Sequence, residues 1–384
     1  MSAQSRLEEM LSGKKKGVPL IDIGTTSLTG IRAGVVPKLQ KNNLLAHPIF
    51  KTIPLEPMDC IHLGSDFIRT GLLYDPQVIE DERFIDVFGV EWLRYEGDLA
   101  PFRHPLETAG LKDITNHPKP QWLQPVQQVE PEMARNSLVI ADAPCPGLLD
   151  MCLMLRSNWR FMDDLIEKQL VISALLEWSL ETIISAYEHL LVSLDKQPDV
   201  IIYNDDLGFQ NGMFLSPLEF RIYVRPYLRT LLTHLRTLTP AVICFHSCGA
   251  IGPIISDIAD LNIEIVNLDT YAKGMDVMRL RQELPSSVVL HGSNDLCALG
   301  IAVAKQDKAR IALLITELAQ SAPVIAGPMD SMSSADEVLA AFRGASFIRN
   351  ISEDDFEKLR RLGPVRSIIE RALEKTLSME LLAI

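Results

Sequence analysis

Short apolar runs alternate along this chain with longer stretches in which apolar residues recur every three or four positions. The runs "VPLIDIG" (18–24), "DFIRTGLL" (66–73), "NSLVIADAP" (136–144), "DVIIYNDD" (199–206), "AVICFHS" (241–247), "EIVNLD" (264–269), "SVVLHGS" (287–293) and "PVIAGPM" (323–329) are nearly apolar throughout. A strand with no polar face is covered on both sides, which is the signature of a parallel sheet between helices. Helical periodicity fills the gaps. After Ser216, the residues Val224, Tyr227, Leu228, Leu231, Leu235 and Leu238 form one apolar stripe. The preceding "SPLE" supplies Ser216 as N-cap, Pro217 at the first helical position and Glu219 to close a capping box; Ser334 and Glu337 of "SADE" do the same further on.

Eight such strands separated by helices predict a single α/β domain over residues 1–384, a (β/α)8 TIM-type barrel. An open doubly wound sheet is the rival. No GxGxxG follows the first strand and no GxxxxGK[ST] occurs, which removes the usual nucleotide-binding versions of that rival. Residues 75–136 break the rhythm. Rich in Pro, Trp, His and charge, they read as an N-terminal insertion of loops and a hairpin over one end of the barrel.

Composition narrows the class. The 384 residues are 47% hydrophobic and 23% charged, enough apolar material for a large core. A formal charge of −13 argues against a nucleic-acid or anionic-membrane surface. The segment "MSAQSRLEEMLSGKKKG" has no apolar stretch of the secretory type, and runs such as "CALGIAVA" are too short to span a bilayer. A cytoplasmic protein with reduced thiols is expected, so its six cysteines would act as thiolates or ligands.

Catalysis in such a barrel belongs at the C-terminal ends of the strands. Those ends carry Asp142 with Cys145, Asn204-Asp205-Asp206, His246 with Cys248, Asp269, His291 with Asn294 and Asp295, and Met329 with Asp330. Side chains alternate along a strand, so Cys244, His246 and Cys248 share one face. Imidazole and thiolate are both good zinc ligands, and a catalytic zinc needs a third protein ligand and an open position. Asp205, Asp206 and His291 are the acid–base candidates. Asp205 and Asp206 point to opposite sides unless the strand has already ended.

"FHSCG" after an apolar strand, preceded by "YNDDLGFQNGMFLSPLEFRIYVRPYLRTL", resembles the uroporphyrinogen decarboxylase superfamily. The similarity is nearer to its cobalamin-linked methyltransferase branch than to the decarboxylase itself. "FGVEWLRYEG" with "HPL", then "GSND" and "SADEVLAAF", extend it over most of residues 60 to 345. Two departures are visible. The decarboxylases carry an arginine-rich "RQAGR" segment for a poly-anionic porphyrinogen, whereas this chain reads "DIGTTSLTGIRAG" there, with Arg32 its one arginine. The zinc methyltransferases complete the His-x-Cys pair with a late cysteine in a "GC" context, and "VIAGPMDSM" puts Pro328 or Met329 in that place.

The resemblance implies a barrel with its site at the C-terminal mouth and a zinc-dependent methyltransferase. His246 and Cys248 would bind zinc, with Cys297, Cys145 or Asp330, or a carboxylate of Asp205-Asp206, as the remaining ligand. The methyl group would pass between a small methoxy, amine or thiol compound and a corrinoid held by a partner protein. Asp205, Asp206 and His291 would position substrate or move protons, and the reading leaves room for a homodimer. The alternatives are a metal-free lyase that decarboxylates a small acid and a barrel that binds a metabolite without turnover.

Overall fold

Leu20 and Ile21 begin the sheet that organises the chain. The computed structural model describes residues 2–13, 17–31, 35, 57–73, 77–80, 83–95 and 98–383; Arg32 and parts of the 75–136 stretch lie outside them. Eight parallel strands follow one another: β1 (Leu20–Ile21), β2 (Phe67–Leu72), β3 (Leu138–Ala141), β4 (Val200–Asn204), β5 (Val242–Ser247), β6 (Ile265–Leu268), β7 (Val289–Asp295) and β8 (Val324–Gly327). Each pairs with the next in sequence from β2 to β8, and β8 pairs back onto β1. The Asp66 N–H donates to the Ile21 carbonyl at 2.7 Å and joins β1 to β2. A parallel sheet whose last strand meets its first is the (β/α)8 arrangement.

Alternation along the strands sorts side chains into two cores. Leu20, Phe67, Leu138, Ile140, Val200, Ile202, Cys244, Ile265, Val289 and Ile325 form one buried cluster, closed from below by Ala3, Leu7 and Met10 of an N-terminal helix. Their neighbours Ile21, Ile201, Tyr203, Ile243, Phe245, Val266, Leu290 and Val324 belong to the other, which packs against the helices. The first cluster is therefore the barrel interior. Because a side chain two positions on returns to the same face, Asn204, His246, Asn267 and His291 also point inward. They stand in register on four adjacent strands, one layer above the apolar floor of Ile202, Cys244, Ile265 and Val289.

The stretch 147–195 forms three helices, α1 (Leu148–Arg156), α2 (Asn158–Glu167) and α3 (Gln169–Val192). Among the described residues α3 alone has the length and hydropathy to cross a membrane, and over half of its most apolar window is buried in this fold. The helix expected from Ser216 starts with the anticipated capping box, Ser216 Oγ accepting from Glu219 N and Glu219 Oε2 from Ser216 N. It then passes through a π-helical segment, Phe220–Val224, before α4 (Arg225–Leu238). Pro226 has no N–H for the Ile222 carbonyl, so an unbroken α-ladder is impossible there. The irregular stretch after residue 75 contains a four-stranded antiparallel sheet, Gln77–Glu80, Arg83–Ile85, Glu91–Tyr95 and Asp98–Arg103.

Candidate metal centre at the barrel mouth

β5 delivers His246 to the mouth, and the backbone just beyond its end delivers Cys248. Cys248 Sγ lies 3.3 Å from His246 Nε2. β4 ends at Asn204, so the two aspartates that follow are released from strand geometry and diverge. Asp206 turns toward the pair, its Oδ1 lying 3.5 Å from His246 Nε2 and accepting from the Cys248 N–H at 2.8 Å. One ligand atom from each of Asp206, His246 and Cys248 falls within 4.8 Å of the others, and they are the one such group among the described residues.

Gly249 shapes this turn. Its φ is +85°, and a Cβ there would lie 2.2 Å from the Gly208 carbonyl carbon. Gly249→Ala is expected to cost about 2 kcal/mol or more through strain and clash together, and to shift Cys248. Urea unfolding checks the first effect and thiol titration of Cys248 the second.

Asp205 goes the other way. It is fully buried, and its carboxylate accepts from Leu149 N, Asp150 N and Tyr203 Oη at about 3 Å, while Leu148 N donates to Tyr203 Oη. α1 is capped by Gly147, which has no side chain to offer, so Asp205 and Tyr203 satisfy its first N–H groups from across the barrel wall. A Cβ on residue 147 would meet Asp205 Cβ at 2.3 Å. Asp205 thus sits at a helix terminus, outside the triad.

The charges are crowded. Asp206 N donates to Asp150 Oδ2, which brings three carboxylates to one corner. Burial, then the charges of Asp205 and Asp206, push the Asp150 carboxyl well above its ordinary range. Burial also raises Asp205, to about 6, against the hydrogen bonds it accepts. Burial disfavours charge on His246, but Asp206 and Cys248 more than offset it and raise the imidazole well above its usual value. Such a corner is electrostatically short of a cation.

The other candidates lie apart. Cys297 is buried, and its thiol contacts the Glu337 carbonyl at 3.5 Å. Cys145 is packed against the helix-side core. Asp330 is exposed and accepts from the N–H of its own neighbour, Ser331. None of the three belongs to the group around His246. His291 is buried two hydrogen bonds away, linked through Asn267 to His246 and through its Nε2 to Asp22. Asp142 accepts from Ser27 and faces Arg69, and Asp269 accepts from Gln210. Asn267, Asp22 and Asp150 escaped the motif reading. The signal for Asn267 was positional: a polar residue in "EIVNLD" where the alternation demands an inward side chain. A cavity of about 220 Å³ beside the exits of β6 and β7 is lined by Thr270, Tyr271, Ser293, Asp295 and Arg310, without any member of the triad.

The donor set fits a zinc-like ion. Imidazole nitrogen, thiolate sulfur and carboxylate oxygen are its usual ligands, at about 2.0–2.3 Å. Tetrahedral edges for such bonds run about 3.3–3.7 Å, and the observed separations from His246 Nε2 are 3.3 and 3.5 Å.

A closed parallel barrel with a polar cluster at its strand exits defines the TIM-type class. Within that class, the family model for uroporphyrinogen decarboxylase (URO-D) matches residues 99–327, more than half of the chain. The protein belongs to the uroporphyrinogen decarboxylase family. Among solved structures, a methyltransferase from Methanosarcina mazei is similar over 90% of this chain and 98% of its own, with a TM-score of 0.59 and 16% identity. At that identity the likeness is one of fold. No curated protein matches the chain.

Proposed function

We propose that this protein is a zinc-dependent methyltransferase with Asp206, His246 and Cys248 as the zinc ligands. The observation that carries the reading is the convergence of these three donors at the mouth of a URO-D-family barrel. Of the candidates for the remaining ligand, Cys297, Cys145, Asp330 and a carboxylate of Asp205-Asp206, this reading takes Asp206, which the sequence also offers for acid–base work. Bound zinc would supply a Lewis acid for a thiol, amine or methoxy group. The chain's own residues prepare the rest. His246 presents Nε2 toward Cys248 and Asp206. The Cys248 N–H fixes Asp206, whose carboxylate faces His246.

In this reading the methyl group moves between a small substrate and a corrinoid on a partner protein, in the cytoplasm. The long and apolar α3 is then a core helix of a soluble enzyme. The likeness in fold to a methanogen methyltransferase supports the reaction class. The test is metal analysis of protein purified without chelator, with about one zinc per chain expected. Metal-free protein that decarboxylates a small acid at full rate would overturn the reading in favour of a lyase.

A further inference from the structure

We propose that Asp22, His291 and Asn267 are positioning residues that hold His246 with its Nδ1 protonated and its Nε2 facing Cys248 and Asp206. The inference deepens the zinc reading and rests on it for its effect on metal binding; the assignment of the proton stands on the geometry of the chain alone.

One backbone carbonyl fixes the protons along this chain. Asn267 Nδ2 lies 3.1 Å from the His291 backbone oxygen, which can only accept. That contact fixes which end of the Asn267 amide is nitrogen. The same Nδ2 lies 2.6 Å from His291 Nδ1, which must therefore be a bare acceptor. His291 then carries its proton on Nε2 and donates it to Asp22 Oδ2 at 2.8 Å. Asp22 is held in turn by the Thr25 hydroxyl. On the other side Asn267 Oδ1 lies 2.6 Å from His246 Nδ1. An amide oxygen carries no hydrogen to donate, so His246 Nδ1 bears the proton. Nε2 is left to face the thiol and the carboxylate.

Every link is dry. Asp22, His291 and Asn267 are 0%, 1% and 3% exposed, so water does not compete for these hydrogen bonds. The spacing is built into the sheet, because His246, Asn267 and His291 are register partners on β5, β6 and β7. Adjacent strands lie about 4.8 Å apart, so one amide on β6 reaches an imidazole on either side. A metal-binding imidazole needs this orientation: outer partners that take the proton from the non-ligating nitrogen are worth about 10–100-fold in metal affinity.

Two measurements test the proposal. The first needs no variant and no metal. Imidazole ¹⁵N spectra of the metal-free protein should show His246 Nδ1 protonated; a bare Nδ1 on His246 overturns the proposal. The second compares zinc affinity by chelator competition. Asn267→Leu removes both the acceptor and the donor and should weaken zinc binding about 10–100-fold. Asn267→Asp keeps an acceptor for His246 and should stay within about tenfold of the parent. Equal affinity for Asn267→Leu and the parent, with folding verified by circular dichroism, would also overturn it. Should the parent bind no zinc, the zinc reading falls, and the ¹⁵N spectra still decide the positioning role.

Discussion

Asp206→Ala should strip zinc from the protein while leaving its fold standing, and Asp205→Ala, one residue earlier, should do the opposite. The Asp206 side chain is partly exposed and, beside His246, accepts from the Cys248 N–H; its removal relieves repulsion with Asp150. As the proposed third ligand, its loss should cost at least about 100-fold in zinc affinity, beyond the range of outer partners. Asp205 is buried and satisfies two N–H groups of α1 together with the Tyr203 hydroxyl. Its loss leaves those donors unpaired, and a stability loss of about 3 kcal/mol is expected. Urea unfolding and chelator competition on both variants separate the roles. Asp206→Ala protein that keeps full zinc affinity would leave His246 and Cys248 without their third partner, and the proposed centre would not stand.

This divergence of neighbouring aspartates shows how far the sequence could be read. Apolar runs of the right length revealed the eight strands and their order, because a strand covered on both faces has almost no freedom in composition. That Cys244 and His246 share a face follows from alternation alone; that the face is the interior one shows in the apolar floor around Cys244. The partner of the His246–Cys248 pair does not follow from alternation. Whether Asp205 or Asp206 enters the mouth depends on where β4 stops, and a boundary of one residue inverts every side chain after it. Cys145 and Cys297 were plausible by element, but their orientation is set by packing against the helix-side core and, for Cys297, by Glu337, contacts far away in sequence; Asp330 stays exposed and caps the N–H of Ser331. Asp22 and His291 are separated by 269 positions and meet because the barrel closes. The four-stranded sheet after residue 75 was read as loops and a hairpin, since short strands rich in charge and aromatics carry little period.

Arg156→Met should cost about 3 kcal/mol or more in stability. Arg156 and Asp164 are each almost wholly buried, with Nε 2.8 Å and Nη2 2.7 Å from the same Asp164 oxygen. The guanidinium also donates through Nη1 to the carbonyls of Leu106 and Ala109, which ties the segment after the antiparallel sheet to the junction of α1 and α2. Removing the arginine strands a buried carboxylate. Arg160 and Lys168 approach Asp164 at 3.6 and 3.7 Å from the solvent side and offset part of that cost. Replacing both partners, Arg156→Met with Asp164→Leu, removes the stranded charge, so the double variant should be more stable than the single one. It should not return to the parent level, because the Leu106 and Ala109 carbonyls both lose the guanidinium donor, at about 1–3 kcal/mol. Urea unfolding of the three proteins measures the difference. A double variant no more stable than Arg156→Met alone would mean that the carbonyl clamp, and not the ion pair, makes this arginine indispensable.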